Sequence, residues 1–423
     1  MKIIELLNPK GNSIIKVPGY CKNLLIKNNY KSLPKNTFLK KIKIFLYLKF
    51  LSRIRSILFL LSKIKIKFKN PPQKQVVIFD KEGSENLKPI LKKDKYYILK
   101  TRLEHIDYIY LTPNIVLNFL RNFFNKSLKL NYLCSIIEII NPKIIITEID
   151  TSVNFFKVSE IFSKKGVKTI VVQGTQKIDG QFSENFYTEN YFTIGDFEKS
   201  ELKRYLKNTK RTESIGSLRA VVAKNFLKSN KVSFEKIYDI CLISEPHTEL
   251  NTDGFLRTAN PEELLAKVAE FTIRFCKENN KKLIFSGKAK ENNFKKELEK
   301  LFYKENLSHK NFEIKFSSEG EHGTYKNIAQ SDLIIGLGST CLRESFAFDR
   351  KVLCCNFGNN EDGKFPGVGP HIFNSNNYDD FEKRVFTLLS MNYEQYISNI
   401  QNPGEIYNKN IDTIKFLQKE INI

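Results

Sequence analysis

The sequence predicts an α/β protein of two tandem domains, each a parallel sheet with helices on both faces, behind a basic helical N-terminal segment. Three observations carry this expectation. The chain has 423 residues, too many for one ordinary domain and enough for two that each bury a core. Apolar strand-like runs alternate with helical patterns, pause near residue 230 and start again, which is the mark of parallel sheets covered on both sides. The positive charge is concentrated at the start: residues 6–79 hold 17 Lys and Arg and no Asp or Glu, so residues 1–79 carry +17 of the formal +23. The boundaries expected are 1–74 for the basic segment, 75–230 and 231–375 for the two α/β domains, and 376–423 for C-terminal helices.

Composition narrows the class. An apolar fraction of 41% and a charged fraction of 27% suit a folded chain rather than a disordered one. Seven scattered cysteines, with no C-x-x-C and no histidine spacing suited to zinc, argue for reduced thiols in a cytoplasmic protein with no metal centre.

The stretch "FLKKIKIFLYLKFLSRIRSILFLLSKIKIKF" (38–68) leaves at most seven residues between successive cations, so it offers nothing near the ~20 apolar residues of a spanning helix. It reads as a helix lying in a membrane interface, with Phe45, Leu48, Leu51 and Leu58 among acyl chains and Lys49, Arg53 and Arg55 at anionic headgroups. Packing of a basic-faced helix on its own domain is the alternative. Nucleic acid is not the expected partner, because no recognition helix or aromatic platform accompanies the charge. The segment is also too long and internal for a signal peptide. The expected location is the inner face of the cytoplasmic membrane, as a peripheral protein.

The elements follow in order. "QVVIFDKEG" (75–83), "PKIIITEID" (142–150) and "VKTIVVQGT" (167–175) read as buried strands ending in polar turns, with the helical "TSVNFFKVSEIFSKKG" between the last two. "NYFTIGDFEKSELKRYL" and "RTESIGSLRA" each give a short strand and a helix start, and the polar residues 224–236 read as a linker. Then come the strand "YDICLISEPH", the helix "PEELLAKVAEFTIRFCKENN" with Pro at its first position, and the strand and Lys-bearing loop "KKLIFSGKAK". "SDLIIGLGSTCLRESFAFDRKVLCCNF" (331–357) is strand, turn, helix, strand, and "YDDFEKRVFTLLSMNYEQYISNI" is helical.

In open α/β sheets the ligand crevice lies beyond the carboxyl ends of the strands. That rule selects Asp80, Gly83, Ser84, Glu148, Asp150, Gln173, Gly174, Lys288, Gly338, Ser339 and Thr340. Gly336 and Gly338 allow a tight turn after Ile335, Ser339 or Thr340 caps the helix that follows, and its free amides suit a phosphate. Glu344 is placed to accept hydrogen bonds from ribose hydroxyls. Glu245 and His247 in "SEPHTE" form a further pair at the first strand end of the second domain. A capped helix and strand-end acids that only satisfy local hydrogen bonds are the competing reading for each.

Several ordered motifs then carry a resemblance: "VVIFDKEGSE" (76–85), "ITEID" with "FFKVSEIF", "IVVQGTQ" (170–176), "IGSLR" (215–219), "YDICLIS" and "GTYKNIAQSDLIIGLGSTCLRESFAFDRKVL" (323–353). Together, across residues 75–358, they resemble GT-B glycosyltransferases, and more narrowly bacterial surface carbohydrate (capsule or lipopolysaccharide) biosynthesis proteins. The resemblance implies two Rossmann-like domains facing a cleft, the first on the acceptor side and the second holding a nucleotide-sugar donor, with C-terminal helices crossing back onto the first. It implies a donor site of Gly338, Ser339, Thr340, Glu344, Lys288, His322, Thr324 and Tyr325, and a cleft lined by Gln173, Gly174, Glu245 and His247. The implied reaction moves a sugar from a nucleotide to a glycan or lipid-linked acceptor without cofactor or metal, and the chain has no Asp-x-Asp triplet. Transfer with inversion needs a base for the acceptor hydroxyl. Asp150 is the first choice, then Asp80 and Glu148. A sugar-nucleotide epimerase, a polyol-phosphate transferase and a non-catalytic assembly partner remain alternatives on the same architecture.

Overall fold

The structure is a computed structural model. It describes residues 65–102, 105–121, 127–176, 186–201, 205, 208–244, 261–287, 296, 299–300, 303, 307–317, 322–357 and 364–422. Residues 38–64 of the basic segment therefore lie outside the described residues, as do Lys288, Glu245 and His247.

The first sheet is built from β2 (Val76–Phe79), β3 (Tyr96–Leu99), β5 (Ile144–Thr147), β6 (Lys168–Val172), β7 (Thr188–Thr193) and β8 (Thr209–Ser214). Its order is β3-β2-β5-β6-β7-β8, and every pairing is parallel. A separate two-stranded parallel ribbon joins β1 (Lys65–Lys67) to β4 (Tyr108–Tyr110). The second sheet holds β9 (Tyr238–Ile243), β10 (Leu283–Gly287), β11 (Phe312–Phe316), β12 (Ser331–Gly336), β13 (Lys351–Cys355) and β14 (Ile372–Phe373), in the order β11-β10-β9-β12-β13-β14 and again all parallel. Each large sheet is Rossmann-like. The strand order reverses between β2 and β5 in the first and between β9 and β12 in the second, and ligands of such sheets bind at those switch points.

The aliphatic runs explain the strands. In β2 all four residues are buried, and alternate side chains enter opposite layers. Val77 and Phe79 pack with Leu133, Ile137 and Phe155 from the helices Leu128–Ile140 and Val153–Ser163, while Val76 and Ile78 pack with Leu218 and Val222 of the helix Leu218–Ser229. The chain returns to this second layer at its end, where Leu417 and Ile421 of the helix Thr413–Ile421 join the same cluster. Glu420 of that helix fixes the return through Lys168 (2.7 Å) and Arg211 (2.8 Å).

Two expectations are corrected. The linker read at residues 224–236 begins inside the helix Leu218–Ser229, because Ala220, Ala223 and Leu227 bury one face of it. The helix read to residue 68 gives way at its end to the strand Lys65–Lys67, whose alternating Lys-Ile-Lys pairs with Tyr108–Tyr110. No helix among the described residues is long and apolar enough to cross a membrane.

Candidate functional site

The motifs from both domains converge on one cluster. Thr147 ends β5 at the first switch point, and the next residue, Glu148, is buried. Asn86 Nδ2 donates to Glu148 Oε2 at 2.7 Å, and Arg219 Nε lies 3.6 Å from Oε1. Two glycines let this happen. A Cβ on Gly83, whose φ is 77°, would sit 2.8 Å from Glu148 Oε2, and one on Gly174 would sit 2.5 Å from the Glu148 carbonyl oxygen. Among the described residues the buried Ser84 hydroxyl beside them has no hydrogen-bond partner, and Glu148 Oε1 has none beyond the charge of Arg219.

The second domain supplies the facing wall. Glu344, fully buried in the helix Thr340–Ser345, accepts from Ser217 Oγ at 2.8 Å and from Tyr325 OH at 2.9 Å. Ser217 is the N-cap of the helix Leu218–Ser229, so one short sequence, "GSLR", gives a bond to Glu344 from its serine and a charge to Glu148 from its arginine. Burial works against the charge of Arg219, but the acidic side chains of Glu148 and Glu344 outweigh it and hold the guanidinium above its usual range.

Electrostatics single out Glu148. Burial pushes its carboxyl from the ordinary 4.5 up to about 7, with Arg219 and Asn86 pulling the other way and Glu344 and Asp150 adding to the rise. Burial and Glu344 likewise hold the Tyr325 hydroxyl well above its normal range, so it stays a donor.

The other expected residues separate into groups. Asp80, at a φ of 84°, is not part of this cluster: its carboxylate accepts from Thr101 Oγ1 at 2.8 Å and Arg102 Nε at 3.0 Å, with His105 Nδ1 at 3.9 Å. Asp150 is buried, with Thr175 Oγ1 3.4 Å from its Oδ1, and its charge acts on both Glu148 and Tyr191. Gln173 is committed to structure, since its Oε1 accepts from Ile194 N and its Nε2 donates to Glu198 and Thr175 O. Ser339 caps its helix through Cys341 N, and Thr340 accepts from Gln176 N of the first domain at 2.8 Å; Gly338 sits half-buried before them. Thr324 is half-buried beside Tyr325, and the His322 ring packs 5.1 Å from Phe226 and 6.2 Å from Tyr325. Among the described residues no group of three or more His, Cys, Asp or Glu is placed to hold a metal.

Arg219, Ser217 and Asn86 are the residues that the sequence reading passed over. Arg219 and Ser217 stand in a motif that marked the resemblance, and Asn86 follows directly on another.

No family model and no curated protein sequence matches the chain. Solved structures do match. The chain is similar to a UDP-GlcNAc 2-epimerase from Neisseria meningitidis bound to UDP-GlcNAc, at 12% identity, over 82% of this chain and 98% of that one, with a TM-score of 0.51. It is similar to a putative UDP-N-acetylglucosamine 2-epimerase from Listeria monocytogenes at 13% identity, over 82% and 96%, also with a TM-score of 0.51. A glycosyltransferase from Rickettsia africae matches at 12% identity over 82% and 99%, with a TM-score of 0.41. At such identities the first two show a shared fold, and that fold is the pair of Rossmann-like domains described above.

Proposed function

We propose that the chain is a GT-B-type glycosyltransferase that moves a sugar from a nucleotide donor to a glycan or lipid-linked acceptor in surface polysaccharide assembly. One observation carries the reading: Glu148, a buried carboxyl held near 7 at the switch point of the first sheet, stands beside Arg219 and opposite the Tyr325–Glu344 pair of the second. A group of that pKa takes a proton efficiently at neutral pH. Glu148, rather than Asp150, is therefore assigned as the base for the acceptor hydroxyl. Arg219, whose side chain is partly exposed, is the cation that meets the charge developing on the departing nucleotide diphosphate. Tyr325 and Glu344 belong to the donor side. The resemblance of the motifs to surface carbohydrate proteins supports the polysaccharide role, and the UDP-GlcNAc bound to the Neisseria enzyme supports a nucleotide sugar as the ligand of this fold.

The experiment is a thermal-shift screen against UDP, CMP, GDP and their sugars, followed by product analysis. A ligand at about 100 times its dissociation constant stabilises by about 2.7 kcal/mol. The shift is expected in wild type and in Glu148→Gln, and is expected to vanish in Arg219→Met. Release of nucleotide only when acceptor is added supports transfer; an isomerised nucleotide sugar with no release assigns the site to epimerisation, which the two fold-sharing structures favour. Absence of any shift with every nucleotide sinks both.

A further inference from the structure

The first domain carries an apolar corner that its own core does not cover. Phe68, Leu111, Val116, Leu117, Leu120 and Leu128 are all exposed, Phe68 to 73% and Leu120 and Leu128 to 60% each. The fold brings them together. Leu111 N donates to Lys67 O at 2.8 Å, so Phe68 and Leu111 leave the β1–β4 ribbon side by side. Thr112 bonds Asn70, and the helix Pro113–Arg121 starts at the next residue. On that helix Ile115 is buried, whereas residues 116, 117 and 120 share an outward arc of about 100°. Asn131 of the following helix donates to Phe119 O, which sets Leu128, one turn earlier, beside the end of the same face. An apolar patch of this kind on a folded domain marks an interaction surface.

Its rim is basic. Lys65, Lys67, Lys69, Arg121 and Lys129 are exposed around it; residues 65–79 and 108–137 contain no Asp or Glu, and Asp107, the acid beside Lys65, is paired with Lys100. We propose that this corner, the ribbon end and the outer face of the helix Pro113–Arg121, docks the protein on an anionic lipid bilayer surface. Charge decides the occupant. Residues 6–64, which run directly into β1, hold 13 Lys and Arg and no acid, so they share the sign of the rim and are not its complement. A bilayer interface with anionic headgroups presents both what the leucines need and what the lysines need. The donor-site reading is independent of this surface.

The test is flotation of the full chain with vesicles of phosphatidylcholine and phosphatidylglycerol, against phosphatidylcholine alone. Binding is expected only with the anionic lipid and weaker at high salt. Leu117→Glu with Leu120→Glu should reduce partitioning by about a hundredfold, and each of Lys67→Glu and Lys69→Glu by about fivefold or more. Phe386→Glu, an exposed residue of the helix Tyr378–Ser390, should change nothing. The proposal is overturned by wild-type flotation of the leucine double variant, by equal binding to neutral vesicles, or by self-association in sedimentation that the double variant abolishes, without vesicle binding. The nucleotide thermal shift should be the same in wild type and the leucine double variant, which separates this surface from the donor site.

Discussion

Arg343 and Glu198 form an ion pair with both side chains fully buried, and it joins the two domains: Nη2 lies 3.1 Å from Oε2 and Nη1 bonds Oε1. Glu198 belongs to the helix Phe197–Glu201 after β7, and Arg343 to the helix Thr340–Ser345 after β12. The guanidinium also donates to the carbonyls of Ile406 (2.9 Å) and Glu405 (3.2 Å), so one side chain ties both domains to the returning C-terminal chain. Gly195 permits the approach, since a Cβ there would meet Glu405 O at 2.2 Å. Breaking a buried pair leaves an uncompensated charge, at a cost of about 3–5 kcal/mol. Arg343→Met should lose about that much by urea unfolding. Adding Glu198→Leu should restore part of it, but not all, because the carbonyls of Glu405 and Ile406 stay without their donor and Gln173 Nε2 loses its bond to Glu198. Full recovery in the double variant would show that these bonds contribute nothing.

Ser217 is another tie between the domains, and a comparison with another cap isolates it. Ser152 and Ser217 each cap a helix through a backbone amide three residues on, but only Ser217 also donates to a buried carboxylate, Glu344. Loss of a cap costs about 0.5–2 kcal/mol, and a hydrogen bond to a charged group contributes about 1.5–3 kcal/mol. Ser217→Ala should therefore destabilise more than Ser152→Ala by roughly the second amount. Equal losses would mean that water replaces Ser217 at Glu344.

The strands were legible because buried parallel strands are unbroken aliphatic runs, and "VVIF", "IIIT" and "SDLIIG" can hardly be anything else. The ribbon of Lys65–Lys67 and Tyr108–Tyr110 was not: each strand is three residues long, and their partnership spans some forty residues of chain. Within the site, sequence placed Asp80, Glu148 and Asp150 at strand ends but put Asp150 first and Glu148 last. What distinguishes them comes from elsewhere in the chain, namely Thr101 and Arg102 on Asp80, Thr175 on Asp150, and Asn86 and Arg219 on Glu148. Arg219 itself reads as an ordinary surface cation one residue into a capped helix. The glycine at 174 lets the chain pass between the Glu148 carbonyl and Arg219, and its would-be Cβ lies 3.5 Å from Arg219 Nη2.

That close passage makes Gly174 a test of the cluster. Its would-be Cβ meets a backbone oxygen 2.5 Å away, which cannot rotate aside, so Gly174→Ala must displace the β6 loop or the end of β5. Overpacking of this kind costs about 1–3 kcal/mol. Gly166→Ala is the control, because that position has a φ of 80° but open space around it, and its cost of about 1 kcal/mol is backbone strain alone. Both variants should melt earlier than wild type. Only Gly174→Ala should also lose the nucleotide-dependent shift.

The raised pKa of Glu148 fixes a pH dependence with a definite sign. Between its ordinary 4.5 and about 7 the folded protein keeps a proton that the unfolded chain gives up, so folding stability falls as pH rises through that window and levels off above it. Glu148→Gln keeps an acceptor for Asn86 and has no proton to lose. Its melting temperature should match wild type near pH 4 and exceed it at pH 8, by the equivalent of roughly 2–4 kcal/mol at about 1.4 kcal/mol per unit. The same carboxylate that costs stability when ionised is the one assigned to take the acceptor proton. Wild-type transfer should therefore rise with pH as Glu148 ionises near 7 and then flatten, while Glu148→Gln stays inactive throughout. A stability gain that does not vary with pH would show that Glu148 is already ionised at pH 5, and the role of base would then pass to Asp150.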